Sequence, residues 1–274
     1  VFADSPTLAA NAQRTSSVHD EVRGDVRPVW YRPIEPYINL KVQVIAVGGA
    51  LYISTARGLY ALDADTGAVD WVYPTEVPLG HSPTYANGRL YVGSYDRTIH
   101  AIDVRTGARA PGWDPYVALA GFETNPLVVN GRVYAGNRDG YFYCLDANTG
   151  ALVWRFKTGA AIRNSAAIDG ADIIYFASED LHAYALKDLG ASYELVWRSQ
   201  KMLGDTFSTY WPVVYRDWVI FSGGMGYFYP PPYGSGIQLP WDEKNDINAN
   251  LTLRTVVEPG DWALGTVTMD ASPI

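Results

Sequence analysis

Ala61-Leu62-Asp63-Ala64-Asp65-Thr66-Gly67 returns as Ala101-Ile102-Asp103-Val104-Arg105-Thr106-Gly107 and again as Cys144-Leu145-Asp146-Ala147-Asn148-Thr149-Gly150. The closing glycines are 40 and 43 residues apart, and Ala183-Tyr184-Ala185-Leu186-Lys187-Asp188-Leu189-Gly190 is a degenerate fourth copy after another 40. Trp30, Trp71, Trp113, Trp154 and Trp197 keep the same beat, in steps of 41, 42, 41 and 43. Two residue patterns running in step at one period identify a repeated supersecondary unit.

An apolar-aromatic pair lies upstream of each copy: Leu51-Tyr52, Leu90-Tyr91, Val133-Tyr134 and Ile174-Tyr175. Turns such as Asn87-Gly88 and Asn130-Gly131 precede them. Asn-Gly between apolar runs signals a hairpin, because both central residues must tolerate positive φ. Each unit therefore reads as four short strands. In the clearest copy these are Leu127-Val128-Val129, Val133-Tyr134-Ala135, Tyr141 to Leu145 and Leu152-Val153-Trp154, joined by Asn130-Gly131, Arg138-Asp139-Gly140 and Asn148-Thr149-Gly150. Four antiparallel strands about every 41 residues describe a propeller blade. The Trp-Asp and Gly-His elements of a WD40 blade, which has a similar period, do not recur from copy to copy.

The run Ala61-x-Asp63-x-x-Thr66-Gly67-x-x-x-Trp71, and its copy ending at Trp154 with Cys144 in place of Ala, resembles the tryptophan-docking motif of the PQQ-like β-propeller family. The resemblance covers about residues 29 to 222. It implies an eight-bladed fold in most members, with each Trp packed between neighbouring blades and the Asp and Thr fastening the turn between third and fourth strands. Asp63, Thr66, Gly67, Trp71, Asp103, Asp146, Thr149, Gly150 and Trp154 take those structural roles. The second copy departs from the pattern, with Pro111 where Trp is expected and Trp113 two positions later, which predicts an irregular blade junction.

The organisation follows from the repeat. Residues 1–28 form a polar, Ser/Thr/Ala-rich extension without strand periodicity, read as a leader or tether; blades occupy 29–222. Trp211-Pro212-Val213-Val214-Tyr215 and Trp218 to Ser222 match first and second strands of a fifth blade. Residues 223–246 then break the pattern with Gly-rich, Tyr-rich and tri-proline sequence that no ladder strand would carry. Residues 247–274 resume the fifth blade and open a sixth at Ser272-Pro273-Ile274, while Val29-Trp30-Tyr31 reads as a fourth strand with no preceding three. Propellers close by completing a blade from both chain ends, which removes exposed strand edges. The expectation is a ring left incomplete in this chain, to be finished by a longer or second chain.

Loops between second and third strands and loops between blades gather at one mouth of a propeller, and loops carry function on such scaffolds. The mouth candidates are His81, Asp96, Arg97, Glu123, Asn125, Arg138, Asp139, Arg163, Asn164 and Asp205. The 223–246 insertion springs from the same mouth, and its Tyr227, Phe228, Tyr229, Tyr233 and Trp241 are the candidate partner-binding residues, offering large contact area at low side-chain entropy cost.

Composition narrows the function classes. With 48% hydrophobic residues, 14% aromatic and a single cysteine, disorder and a disulfide scaffold are excluded. A formal charge of −8 argues against a nucleic-acid partner, and no apolar run approaches a membrane span. Four scattered histidines give no zinc cluster, and Asp246-x-Asn248-x-Asn250 fails as a calcium loop because Leu251 replaces the required Gly and Val257 the bidentate Glu, so no metal site is expected. Resemblance to quinoprotein dehydrogenases would imply PQQ and calcium at the mouth, but the chain has no Cys-Cys pair and no catalytic Asp that can be mapped. The reading is an all-β, PQQ-like propeller serving as a non-catalytic protein-binding or assembly module, exported to the periplasm or beyond. Its alternatives are a quinoprotein-type dehydrogenase with PQQ and calcium and, third, a saccharide or small-ligand binder.

Overall fold

Asn87 and Asn130 adopt left-handed backbone (φ 50° and 51°), as do Gly88 and Gly131 after them (77° and 73°). Two successive left-handed residues give the tight turn whose twist suits a hairpin, and each pair joins the first two strands of a sheet. The computed structural model describes residues 4–17, 27–202, 206–208, 211–216 and 218–223, with the backbone of 252–257 and 266–270.

The chain is an all-β propeller, with five antiparallel sheets among the described residues, four of four strands and one of three, each in simple sequential order. Blade 1 comprises β1 (Ile45–Val47), β2 (Ala50–Thr55), β3 (Gly58–Asp63) and β4 (Val69–Pro74). Blade 2 has β5 (Thr84–Ala86), β6 (Arg89–Gly93) and β7 (Ile99–Asp103). Blade 3 has β8 (Leu127–Val129), β9 (Arg132–Gly136), β10 (Tyr141–Asp146) and β11 (Leu152–Lys157). Blade 4 has β12 (Ala167–Ile168), β13 (Ile173–Ala177), β14 (Ala183–Asp188) and β15 (Tyr193–Arg198). Blade 5 has β16 (Val213–Tyr215), β17 (Trp218–Gly223), β18 (Thr252–Val257) and β19 (Thr266–Asp270), so residues 224–251 connect its second and third strands.

The middle strands read as continuous apolar runs because blades stack face to face and bury both sides. One core, with Tyr134, Phe142, Ile162, Ile174 and Phe176, lies between blades 3 and 4, where the Phe142 and Phe176 rings stack at 4.1 Å. Similar cores separate blades 1 and 2 around Leu59 and Leu90, blades 2 and 3 around Phe122 and Tyr143, and blades 4 and 5 around Phe207 and Phe221.

The repeated turn has a local cause. In blade 1, Asp63 Oδ1 accepts from the Thr66 amide (2.8 Å) and hydroxyl (2.6 Å); Asp146 accepts the same pair from Thr149 (2.9 and 3.0 Å). A bulge precedes the turn at the same place in three blades, between Ala61 and Leu62, Cys144 and Leu145, and Ala185 and Leu186. It leaves Ala61, Cys144 and Ala185 opposite Trp71, Trp154 and Trp197, a small residue across from each indole. In the first two copies of the turn the Gly faces the indole that precedes it in the chain. A Cβ on Gly67 would come within 2.5 Å of the Trp30 ring and one on Gly107 within 2.6 Å of Trp71. The indole Nε1 of Trp30 donates to Ala64 O (2.9 Å), that of Trp71 to Val104 O (3.0 Å), and that of Trp154 to Asp188 Oδ1 (2.9 Å).

Two places differ from the sequence reading. Blade 2 has no fourth strand: Pro111 lacks an amide proton, and the outer edge of β7 is met by the 107–113 loop, through Ala110 N to Ala101 O (2.8 Å) and Trp113 Nε1 to Ile99 O (2.9 Å). Val29-Trp30-Tyr31 forms no ladder, since among the described residues there is no strand beside it; Val29 and Tyr31 are exposed while Trp30 covers the turn of blade 1.

Residues 4–17 run along the axis against the first strands. Ser5 pairs with Ala46 in β1, and Leu8 and Arg14 are among the most deeply buried side chains of the molecule.

Candidate functional site

The hairpins between second and third strands of blades 2 and 3 present Tyr95 and Arg138, and the loops leading into blades 3 and 4 present Glu123 and Arg163. These four side chains converge. Glu123 Oε1 accepts from the Tyr95 hydroxyl (2.9 Å) and lies 3.4 Å from Arg138 Nη1, while Oε2 lies 3.2 Å from Arg163 Nε. Burial first, and then the bond to Glu123, push the Tyr95 phenol up to about 12. Lys41 joins the cluster: burial lowers its pKa, against the raising influence of Glu123 and Glu179, and its Nζ donates to Ser208 O. Glu179 also accepts from Thr206 Oγ1 (3.0 Å). Three cations, Lys41, Arg138 and Arg163, thus face two carboxylates on a chain of net charge −8.

The remaining mouth candidates divide by role. His81 is 3% exposed, and its Nδ1 accepts from the Ser82 amide (2.8 Å). Burial, then the charges of Lys41 and Arg14, bring its pKa down to about 3, so it is a neutral buried group. Asn125 belongs to a belt around the channel: its Nδ2 donates to Ser82 O (2.8 Å) and its amide to Ser165 Oγ (2.9 Å), while the Gln43 amide donates to Ser82 Oγ (2.7 Å). These bonds tie blade to blade where first strands begin. Asn164 is buried and accepts from the Ala177 amide (3.2 Å). Asp139 accepts from the Tyr143 hydroxyl (2.6 Å) and the Tyr141 amide (2.9 Å) of its own hairpin and from the Leu119 amide (3.2 Å) in the loop before it. Arg97 and Arg138 are exposed on the rim. Asp205 and the insertion residues Tyr227, Phe228, Tyr229, Tyr233 and Trp241 lie outside the described residues.

Asp96 stands apart from the Glu123 cluster. It accepts from His100 Nε2 (2.7 Å) and Thr98 Oγ1 (2.8 Å), and His100 Nδ1 meets the Tyr73 hydroxyl (3.0 Å). Burial alone would raise Asp96, but the His100 and Thr98 hydrogen bonds outweigh it and leave its pKa at about 2. This Tyr-His-Asp chain bridges blades 1 and 2 and ends in a phenol that burial makes less acidic. The lone Cys144 is buried, and desolvation followed by the nearby Asp188 push its thiol up, away from nucleophilic thiolate.

A calcium ion takes six to eight oxygen ligands, carboxylates foremost. The Glu123 oxygens already serve Tyr95, Arg138 and Arg163, and among the described residues no three His, Cys, Asp or Glu side chains come together as a metal site. The chemistry of the mouth is that of a charged rim in which Glu123 is paired with two arginines and a phenol.

Sequence reasoning passed over Lys41, Thr206, Ser208 and the His100–Tyr73 link. Lys41 and Ser208 lie between repeats, where no periodic signal marks them. The His100 link was open to pattern reading, since Asp96 and His100 stand four apart across a tight hairpin.

Fold and repeat define a β-propeller of PQQ-like repeats. The chain matches the family described as outer membrane protein assembly factor BamB over residues 23–120 and 112–226, and it belongs to that family. It is similar to BamB from Moraxella catarrhalis at 25% identity, over 63% of this chain and 51% of that one, with a TM-score of 0.53. The quinohemoprotein alcohol dehydrogenase from Comamonas testosteroni shares the fold, with a TM-score of 0.65 at 16% identity, over 82% of this chain and 44% of the other. A dehydrogenase subunit of the quinone alcohol dehydrogenase from Gluconacetobacter polyoxogenes is 27% identical over 96 residues, 31% of this chain. That match spans 13% of the relative's length. Among the described residues no helix is long and apolar enough to cross a membrane.

Proposed function

We propose that this propeller is a non-catalytic assembly module, held outside the cytoplasm, that binds a protein partner at its mouth through the charged rim and the 223–246 insertion. One observation carries the reading: Arg97 and Arg138 stand exposed on neighbouring hairpins at the mouth, where they offer a partner fixed positive charge. They lie beside the cluster in which Glu123 meets Tyr95 and Arg138. Rigid display keeps the ordering cost of binding low. Membership of a family described as an assembly factor supports the same reading.

Native mass spectrometry of the protein, purified gently from its native host, tests this. A companion polypeptide is expected, and it disappears when residues 223–246 are deleted; unchanged association after the deletion counts against the insertion as the anchor.

A second reading, a quinoprotein-type dehydrogenase domain, is favoured by the stretch shared with the quinone alcohol dehydrogenase subunit. It requires PQQ with calcium to raise the melting temperature by mass action and to give dye-coupled alcohol oxidation. Neither is expected under the assembly reading.

A further inference from the structure

Residues 4–17 bond to one blade after another. Ser5 exchanges both backbone hydrogen bonds with Ala46 of β1 (2.7 and 3.2 Å), and the Pro6 carbonyl accepts from Tyr85 N of β5 (2.7 Å). Thr7 Oγ1 meets Thr84 Oγ1 (2.8 Å) and donates to Asn125 Oδ1 (3.1 Å) at the head of blade 3. The Ala12 carbonyl accepts from Ile168 N of β12 (3.1 Å), and the Gln13 carbonyl from Val214 N of β16 (2.9 Å). Main-chain bonds to strand edges, with side chains in fitted pockets, are the means by which sheets capture extended peptides.

The anchor side chain is Arg14, 1% exposed. Its Nε donates to Ala166 O (3.0 Å) and its Nη1 to Thr7 Oγ1 and Leu8 O (2.8 Å each), while Nη2 has no hydrogen-bond acceptor. The backbone around it is imposed by the site. Ala9, Ala10, Arg14 and Ser16 all hold left-handed φ (55°, 67°, 62° and 54°), which non-glycine residues keep only where the surroundings enforce it. Such a segment has the character of a ligand fitted to a seat rather than of an element with its own preference.

We propose that the seat formed by the first strands is a peptide-binding site, occupied in cis by residues 4–17, which accepts a turn-forming segment of another chain carrying an arginine at the Arg14 position once the cis segment leaves. This goes beyond rim docking and is independent of it, since a rim can recruit a partner over a permanent plug.

The test uses the full chain with a protease site inserted between Ser17 and Arg27, cut after folding, and a fluorescein-labelled peptide with the sequence of residues 4–17. Fluorescence anisotropy is expected to show saturable binding to the cut protein. Binding is expected to be at least about tenfold weaker for the peptide with Arg14→Ala, and for the uncut protein. The proposal is overturned if the cut, folded protein takes up no peptide, if the Arg14→Ala peptide binds equally, or if releasing the segment collapses the near-UV circular dichroism, which would make it an obligate part of the core.

Discussion

At the scale of single residues, His81 shows how the channel interior sets chemistry. In an unfolded chain its imidazole titrates near its ordinary value of 6.5; buried beside Lys41 and Arg14 it titrates at about 3. The unfolded state therefore binds the proton first, so stability is full above about pH 6.5 and is lost as the pH falls towards 3, by up to about 1.4 kcal/mol per pH unit within that window. His81→Met removes the titrating group at similar volume, and its melting temperature is expected to drop less than that of the wild type between about pH 7 and about pH 5. Parallel pH profiles for the two proteins would refute the assignment. Asp96 acts in the same direction lower down: with a folded pKa of about 2 against the ordinary 3.8, it stabilises above about pH 4 and ceases to do so as the pH falls through 2. Asp96→Asn is expected to narrow its stability gap from the wild type as the pH is lowered across that range, measured by urea unfolding.

At the scale of the element, the blade junction carries the stability. Trp154 is 6% exposed, lies beside Tyr134 and Phe142, and donates to Asp188 across the junction. Trp154→Ala is expected to cost about 3–5 kcal/mol, and Trp154→Phe about 1–2 kcal/mol because Asp188 loses its indole donor. Gly107→Ala would force a Cβ within 2.6 Å of Trp71 at φ 66°, a loss of about 1–3 kcal/mol in denaturant unfolding. These elements were legible in the sequence because their causes are local. An Asn-Gly turn, an Asp accepting from the Thr three residues on, and a glycine beneath an indole each leave a fixed spacing. Pro111 likewise marked blade 2 as irregular, although that the 107–113 loop would cap β7 depended on where Trp113 found an acceptor. Residues 4–17 were opaque for the opposite reason: their order comes from Ala46, Tyr85, Ile168 and Val214, far away in the chain, and leaves no period. Asn125 was assigned to the mouth by its loop position, but its amide is engaged in joining blades 2, 3 and 4.

At the scale of the whole molecule, stacked blades bring their first strands together, the chain's own residues 4–17 hydrogen-bond along them, and both ends carry exposed charge, Arg97 and Arg138 at the mouth and Asp65 and Arg105 at the other. The two ends differ in kind. The mouth gathers Lys41, Glu123, Arg138, Arg163 and Glu179, whereas the opposite end is made of tight hairpins such as Asn87-Gly88 and Asn130-Gly131. A partner that reads a rigid charged rim must approach from the first end. The most direct test places a photo-crosslinking residue at Arg97 or Arg138 on the mouth, and in parallel at the exposed Asn87 or Asn130 on the other end, in the native host. The account predicts a discrete protein adduct from the mouth positions alone; equal adducts from both ends, or none from the mouth, would contradict it.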